Sequence, residues 1–162
     1  MRRNTVSIHR TVIPADVTPA QLISTHCADI LAAPSMQIEA ECFQHGTTTV
    51  LKHSAKVCAW SLVVARELRI PVDVVALSRA SLLHDYFLYD WHIPGPDNHV
   101  HGFTHPFIAA RNAHRHFGVG LHERRMIRTH MFPLVPLPPL SREAWILCLV
   151  DKACAFGETF HR

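Results

Sequence analysis

The sequence predicts an all-α protein that folds as one domain. Apolar residues recur at helical spacing from Val50 to Leu68 and again from Val74 to Leu83. No segment shows the convincing alternation of apolar and polar residues that is typical of a half-buried strand. The chain has 162 residues, of which 48% are hydrophobic and 18% charged, and this is enough to bury one core.

The domain is expected to begin after a short N-terminal segment. Residues 1–17 resemble an irregular arm, and residues 18–162 form the predicted helical domain. Thr18 precedes Pro19, and Gln21 lies three residues after Thr18, which is the pattern of a capping box with proline in the first helical turn. A first helix is therefore predicted from Thr18.

Further helices are predicted from caps and from the prolines that end them. Thr47 or Thr48 is a candidate cap for the helix that contains the apolar positions after Val50, and Asp73 is a candidate cap for the next one. A turn is expected at His45-Gly46. The predicted helices cover about 18–33, 35–42, 48–68, 73–84, 104–117, 121–131 and 141–156.

Two connections between predicted helices are long. The segment Asp90–Thr104 contains Pro94, Gly95 and Pro96 and is expected to be a loop, with Thr104 as the cap of the following helix. Loops of this length in compact domains are usually functional, so we expect it to form one wall of a cleft. Residues 133–139 contain three prolines and are predicted to be an extended connector.

The composition narrows the classes of function. Five cysteines without a CxxC pair indicate reduced thiols, and no apolar run is long enough for a membrane span or a signal peptide, so we expect a cytoplasmic protein. A net charge of +3 is too small to indicate nucleic-acid binding. The 14 histidines favour a metal site made of imidazole and carboxylate groups.

Adjacent His84 and Asp85 follow the apolar pair Leu82-Leu83 near the end of a predicted helix. Polar and charged groups in a segment that should be buried need compensation, which a metal ion can supply. A His-Asp pair alone is weak support, because such dipeptides also occur without a metal.

The order of the other candidate ligands strengthens the case. His53 lies in an earlier predicted helix and Asp151 in the last one, so His, His-Asp and Asp each occupy their own segment. This order resembles the HD superfamily of metal-dependent phosphohydrolases. Two segments are similar to the sequences around the metal ligands of that family: Ala-Ser-Leu-Leu-His-Asp and Leu-Val-Asp-Lys-Ala. The resemblance covers about residues 45–156. It implies an all-helical HD-domain fold.

The resemblance also implies a second metal ion. Binuclear branches of the superfamily carry two extra histidines between the His-Asp pair and the last Asp, and His105 and His130 match that order. One ion would then bind His53, His84 and Asp151, the other would bind His105 and His130, and Asp85 would bridge them. His101, which precedes a glycine, is a rival for the position of His105. If these histidines are loop or core residues instead, the site holds one ion.

The chain departs from the family at one position. Many binuclear members have a Lys three residues after the Asp of the pair, and this chain has Leu88 there. Asp90 and His92 are candidates to replace that lysine as a general acid or a substrate contact; the alternative is that this stretch only anchors the loop. The remaining candidate substrate contacts are His45, His101 and Lys152, each of which has an ordinary alternative as a turn, loop or solvated residue.

The resemblance therefore implies a phosphohydrolase that acts on a phosphate ester or anhydride, with a nucleotide or a related small molecule as the expected substrate. Asp85 and Asp90 are the candidate catalytic residues. Mixed nitrogen and oxygen ligation suits two ions of Fe, Mn, Zn, Co or Ni. The alternatives are a di-iron oxygenase of the same superfamily and a non-catalytic binding module.

Overall fold

The computed structural model describes residues 8–45, 47–93 and 100–160, and most of this part of the chain is helical. The prediction of an all-α, single-domain fold is confirmed. The elements in chain order are α1 (Pro19–His26), α2 (Ala28–Leu31), α3 (Met36–Glu41), β1 (Phe43–His45), β2 (Thr48–Thr49), α4 (Val50–Glu67), α5 (Val74–Leu82), α6 (His101–Phe117), α7 (Leu121–Thr129) and α8 (Arg142–Phe160).

Helix α4 lies at the centre of the fold. It packs against α5 and α8 and also contacts α1 and α3, while α6 and α7 form a second closely packed pair. Val57 and Leu62 of α4 are fully buried, and Leu77 of α5 and Leu147 of α8 join them in one continuous core. Burial of these apolar side chains, at roughly 25 cal/mol per Å² removed from water, is what holds the helices together.

The structure confirms two of the four predicted helix caps. The hydroxyl of Thr18 accepts from the backbone N–H of Gln21, and the Gln21 side chain accepts from the backbone N–H of Thr18, as in a capping box. Asp73 caps α5 through the N–H of Ala76. Helix α4 is capped by Thr49, one or two residues after the predicted cap.

The single helix predicted over 18–33 is wrong, because the structure divides it at Cys27 into α1 and α2. The hydroxyls of Ser24 and Thr25 both donate to the carbonyl of Gln21. Such bonds compete with the helical ladder and bend or end a helix.

Three helix boundaries near the candidate site residues also differ from the prediction. Helix α5 ends at Leu82, so His84 lies on the turn beyond it and not on the helix. Helix α6 begins at His101, so the prediction of Thr104 as its cap is wrong: Thr104 lies inside the helix, and its hydroxyl donates to the carbonyl of Val100. Helix α8 continues past the predicted end at 156 to Phe160.

A small antiparallel hairpin was not expected from the sequence. Phe43 pairs with Thr49 and His45 pairs with Thr48, and the strands are too short to show an alternating pattern. The hairpin brings the chain from α3 into α4.

The described part of the N-terminal arm is attached to the helices. Thr11 and Val72 exchange two backbone hydrogen bonds of 2.9 Å, and Ile13 is buried in the core. Arg10 forms an ion pair with Glu143 at the start of α8. Within the described ranges, no helix combines the length and the apolar character that crossing a membrane requires.

Candidate metal centre

Six polar side chains from five different parts of the fold meet in the protein interior. They come from α4, the turn after α5, α6, the end of α7 and α8, and all are at least nine-tenths buried. These residues are His53, His84, Asp85, His105, His130 and Asp151. They are the six that the sequence analysis proposed as ligands.

One half of the cluster joins α4 to α8. The Nε2 atom of His53 lies 3.0 Å from Oδ1 of Asp151, and its Nδ1 atom lies 2.8 Å from Oε2 of Glu158. Asp151 and Glu158 are seven residues apart, which is about two helical turns, so both face α4. The ring of His53 is thereby fixed between two carboxylates.

The protonation of His84 follows from its neighbours. Its Nδ1 atom lies 2.8 Å from the carbonyl oxygen of Ser81, and a carbonyl can only accept, so Nδ1 donates. In the neutral ring the lone pair is then on Nε2, which lies 3.4 Å from a carboxylate oxygen of Asp85 and 3.4 Å from one of Asp151. A lone pair that faces two carboxylates requires a proton or a cation between them.

The other half of the cluster has the same arrangement. His105 donates from Nδ1 to the carbonyl of His101 at 2.8 Å, and His130 donates from Nδ1 to the carbonyl of Ile127 at 2.7 Å. Their Nε2 atoms face each other at 3.0 Å. Two neutral imidazoles in these tautomers would place lone pair against lone pair, which is unfavourable unless a proton or a common cation lies between them.

Asp85 lies between the two halves. Its Oδ1 atom is 3.2 Å from Nε2 of His105 and 3.5 Å from Nε2 of His130. Its Oδ2 atom faces Nε2 of His84 and of His53 and also accepts a hydrogen bond from the Gln44 amide. Because its two oxygens face different histidines, this carboxylate can serve both halves.

Hydrogen bonds between the imidazole rings and the carboxylates shift the pKa values of both. Burial opposes protonation of His53, but hydrogen bonds to Asp151 and Glu158 raise its pKa to about 9. Burial would raise the pKa of Asp151, yet hydrogen bonds from His53 and His84 hold this pKa well below the usual range. Burial lowers the pKa of His130. The two cluster aspartates therefore stay ionised in the interior and need positive charge nearby.

The donor set fits a metal ion. In three overlapping groups of the cluster, one donor atom per residue lies within 4.8 Å of the others. Nε2 of His84 and Oδ1 of Asp85 are buried and have no hydrogen-bond partner among the described residues. Imidazole nitrogens whose other nitrogen is fixed by a carbonyl or carboxylate, together with carboxylate oxygens, are the usual surroundings of divalent transition metals. These residues can hold a metal ion.

A cavity of about 450 Å³ opens onto this cluster, bordered by Asp85, His105, His130 and Asp151. One wall is aromatic: the rings of Trp91 and His101 are stacked with centroids 5.1 Å apart and an angle of 9°. The His101 ring stacks in turn on His105, at 4.6 Å. The rest of the lining is mostly apolar and includes Met131, Pro133, Leu134 and Ala155.

The structure distinguishes the two rival histidines, His101 and His105, by their partners. His105 lies beside Asp85 and His130, whereas Nδ1 of His101 is 2.8 Å from the hydroxyl of Tyr89. Burial, followed by the charge of neighbouring histidines, lowers the pKa of His101 to about 4, so this ring is neutral. His101 lines the cavity and remains a candidate substrate contact.

The other predicted substrate contacts differ in whether they border the cavity. Lys152 lines the cavity, but its ammonium also donates to the carbonyl of His130 at 2.7 Å. Asp90 and His92 bond to each other on the turn after Tyr89 and are not among the described residues that line the cavity. Their roles stay predictions. The side chain of His45 lies outside the described part of the structure.

Two residues of the site, Glu158 and Gln44, were not predicted from the sequence. Glu158 was missed because α8 was predicted to end at Phe156, although its seven-residue spacing from Asp151 could have indicated a shared helical face. Gln44 reaches Asp85 only through the hairpin, so no spacing along the chain reveals it.

The fold and the cluster define the class of protein as an all-helical domain with a buried His/Asp site that can bind metal. No protein-family model, curated protein or solved structure matches this chain. The function is therefore inferred from the residues of the site.

Proposed function

We propose that this protein is a metal-dependent phosphohydrolase of the HD superfamily, with two divalent ions bound by the six clustered residues. The observation that carries the proposal is the cavity above the cluster. Ligand residues of both halves border it, so a substrate placed there lies next to both groups of donors. His53, His84 and Asp151 would hold one ion, His105 and His130 the other, and Asp85 would bridge them.

The reaction class follows from what such a centre supplies. Paired divalent ions activate water at neutral pH and neutralise the charge on phosphoryl oxygens. The protein's own residues orient the ligands: Glu158 and three backbone carbonyls fix the imidazole rings, and Gln44 holds Asp85. The hydrolysis of a phosphate ester or anhydride needs no protein nucleophile at such a site.

The cavity also limits how a substrate is oriented. Its phosphate end would lie near Asp85 and Asp151, beside the ammonium of Lys152. The organic part would lie against the stacked rings of Trp91 and His101 and the apolar wall opposite. A flat group such as a nucleobase suits this wall, because stacking on an aromatic ring contributes favourably at close range.

Phosphate release by the metal-loaded protein tests this proposal. We expect metal-dependent turnover of at least one substrate in a panel of aryl phosphates, nucleoside monophosphates and nucleoside triphosphates. Asp85→Asn should reduce the rate by more than about 100-fold, because one carboxylate serves both halves of the site. Asp29→Asn is the matched control, since Asp29 pairs with Arg79 on the surface.

A second measurement separates the hydrolase from an oxygenase with the same ligands. Consumption of oxygen by the iron-loaded protein, without phosphate release from any substrate in the panel, would contradict the phosphohydrolase assignment. The absence of both activities in a fully metal-loaded protein would favour a binding module.

A further inference from the structure

A groove between α6 and α7, which we call the arginine groove, has an unusual concentration of positive charge. Arg111 of α6 lines it together with Arg124, Arg125 and Arg128 of α7. No acidic residue is among the described residues that line it, and its volume is about 420 Å³. Four guanidinium groups in one hollow exceed the net charge of +3 of the whole chain.

These four arginines lack carboxylate partners. Within residues 8–45, 47–93 and 100–160, none of them forms an ion pair, whereas Arg10, Arg66 and Arg79 all do. The acidic residue of α7, Glu123, lines a different hollow, beside the N-terminal arm and α5. The positive charge of the groove is therefore not balanced by the protein itself.

The arrangement carries an energetic cost within α7. Arg124 and Arg128 are four residues apart on the helix, and like charges at this spacing repel each other. The guanidinium of Arg128 lies 5.0 Å from the ring centroid of Phe107 on α6, a contact that holds one cation over the groove. The contact fixes the position of the Arg128 guanidinium but leaves its positive charge unbalanced.

Helix α7 adds to the positive potential. It begins at Leu121, which lines the groove, and its N-cap Gly120 provides no side-chain acceptor for the first N–H groups. The amino end of a helix carries partial positive charge. The groove extends from this end to Arg128, which is roughly 10 Å at 1.5 Å per residue.

We propose that the arginine groove is a binding site for a small molecule that carries two or more phosphoryl groups. Guanidinium groups bind phosphate oxygens in pairs, and several of them together match a chain of phosphates. The volume is in the range of small-molecule sites, roughly 300–1,000 Å³. Arg125 and Arg128 also border a neighbouring hollow, whose other arginine, Arg10, is paired with Glu143. A nucleic acid would need unpaired positive charge that continues further along the surface. The groove shares no lining residue with the cavity above the metal centre, and the proposal does not depend on hydrolase activity.

Titration calorimetry of the metal-loaded protein with tripolyphosphate at physiological ionic strength tests the proposal. We expect saturable binding that Arg111→Gln and Arg125→Gln each weaken by about tenfold or more, because each removes a charge-assisted hydrogen bond. Arg115→Gln is the matched control: it removes the same charge from the exposed face of α6, outside the groove, and should change the affinity by less than about twofold.

Three results would overturn this assignment. The first is a lack of saturable binding, the second is binding that none of the groove variants weakens, and the third is an equal loss of affinity in all three variants. The second result would show that tripolyphosphate binds outside the groove. Tighter binding of a short oligothymidylate that depends on the same arginines would replace the small molecule with a nucleic acid. Circular dichroism of each variant confirms that these exposed substitutions leave the fold intact.

Discussion

The tautomer of each buried histidine decides what the cluster can bind. His84, His105 and His130 all donate from Nδ1 to a backbone carbonyl, which leaves three Nε2 lone pairs directed at one another and at carboxylates. A histidine that is only hydrogen-bonded in the core would not need to direct its second ring nitrogen at other imidazole rings and carboxylates. The inward lone pairs are explained by positive charge at the centre of the cluster.

Glu158→Gln tests the role of the carboxylate behind His53. The substitution keeps the size of the side chain but removes the charge that orients the ring and increases its basicity. We expect the affinity for divalent metal to fall by about 10- to 100-fold, as is typical when the partner of a metal-binding histidine is lost. Competition with a chromophoric chelator measures it.

Lys56→Gln is the control for that substitution. Lys56 forms an ion pair with Glu158 at 3.1 Å, so its loss disturbs the same carboxylate from the solvent side while leaving the bond to His53. Its effect should be small, because exposed ion pairs contribute little. Equal losses of affinity in both variants would contradict a specific role of Glu158 behind the metal ligand.

At the scale of elements, the short turn after α5 is held by residues from other elements. The Asn112 amide donates to the carbonyls of Tyr86 and Phe87, and Glu39 accepts from the backbone N–H of Leu88. Leu88 itself has a positive φ of 65°. Burial raises the pKa of Glu39 to about 8, which keeps its carboxyl protonated at neutral pH. This network fixes the turn that presents His84 and Asp85.

Glu143 connects α8 to the N-terminal arm and to α5. Its carboxylate accepts from the guanidinium of Arg10 at 2.6 Å and from the backbone N–H of Asp73 at 3.0 Å. Burial would raise its pKa, but these hydrogen bonds lower the pKa from 4.5 to about 2. We expect Glu143→Gln to lower the free energy of unfolding at neutral pH by about 1–3 kcal/mol.

The pH dependence of the Glu143 contribution has a defined sign. Because the folded-state pKa is depressed, the stabilisation is complete above 4.5 and is lost as the pH falls towards about 2. The difference in unfolding free energy between wild type and Glu143→Gln should therefore shrink across this interval in urea titrations. A difference that stays constant from neutral pH to pH about 2 would show that the carboxylate charge is not what stabilises α8.

The end of α4 offers a test of backbone strain. Arg69 follows the C-cap Leu68 with a φ of 51°, in the left-handed region where helices commonly end on glycine. Its side chain is exposed, so Arg69→Gly should stabilise the protein by up to about 1 kcal/mol. Thermal unfolding measures this. Arg69→Ala lacks the conformational advantage of glycine and should give no gain; equal gains in both variants would refute the strain argument.

Much of the candidate metal centre could be predicted from the sequence, because its residues lie in or next to apolar helical segments in a recognisable order. The choice between His101 and His105 could not, since both occupy consecutive turns of one helix and only packing against His130 distinguishes them. Helix ends were the weakest predictions. Placing His84 on α5 and ending α8 at Phe156 ignored side-chain and tertiary contacts that move a boundary by a few residues.

At the scale of the whole molecule, the cluster joins two packing units. Helices α4 and α8 supply His53 and Asp151, and the α6–α7 pair supplies His105 and His130. A metal ion that binds the folded chain and not the unfolded chain stabilises the fold by mass action. Removal of metal should therefore weaken the contact between these units.

Chelation tests that coupling. At a free metal concentration about 100-fold above the dissociation constant, each bound ion should add about 2.7 kcal/mol to the free energy of unfolding. Treatment with a chelator should lower the unfolding temperature, and adding metal back should restore it. The Asp85→Ala variant is the control and should respond to neither treatment. An equal response in wild type and variant would place the stabilising ion elsewhere.

The most direct test of the metal centre is elemental analysis of the protein purified without added metal, with three variants measured in parallel. We expect two ions per wild-type chain. His130→Ala should lose about half of the metal, His53→Ala should deplete the other ion, and Asp85→Ala should impair both, because affinity depends on the number of ligands. One ion that His130→Ala does not affect would reduce the site to His53, His84, Asp85 and Asp151. A wild-type chain that retains no ion, even after exposure to Fe, Mn, Zn, Co or Ni, would contradict the metal centre itself.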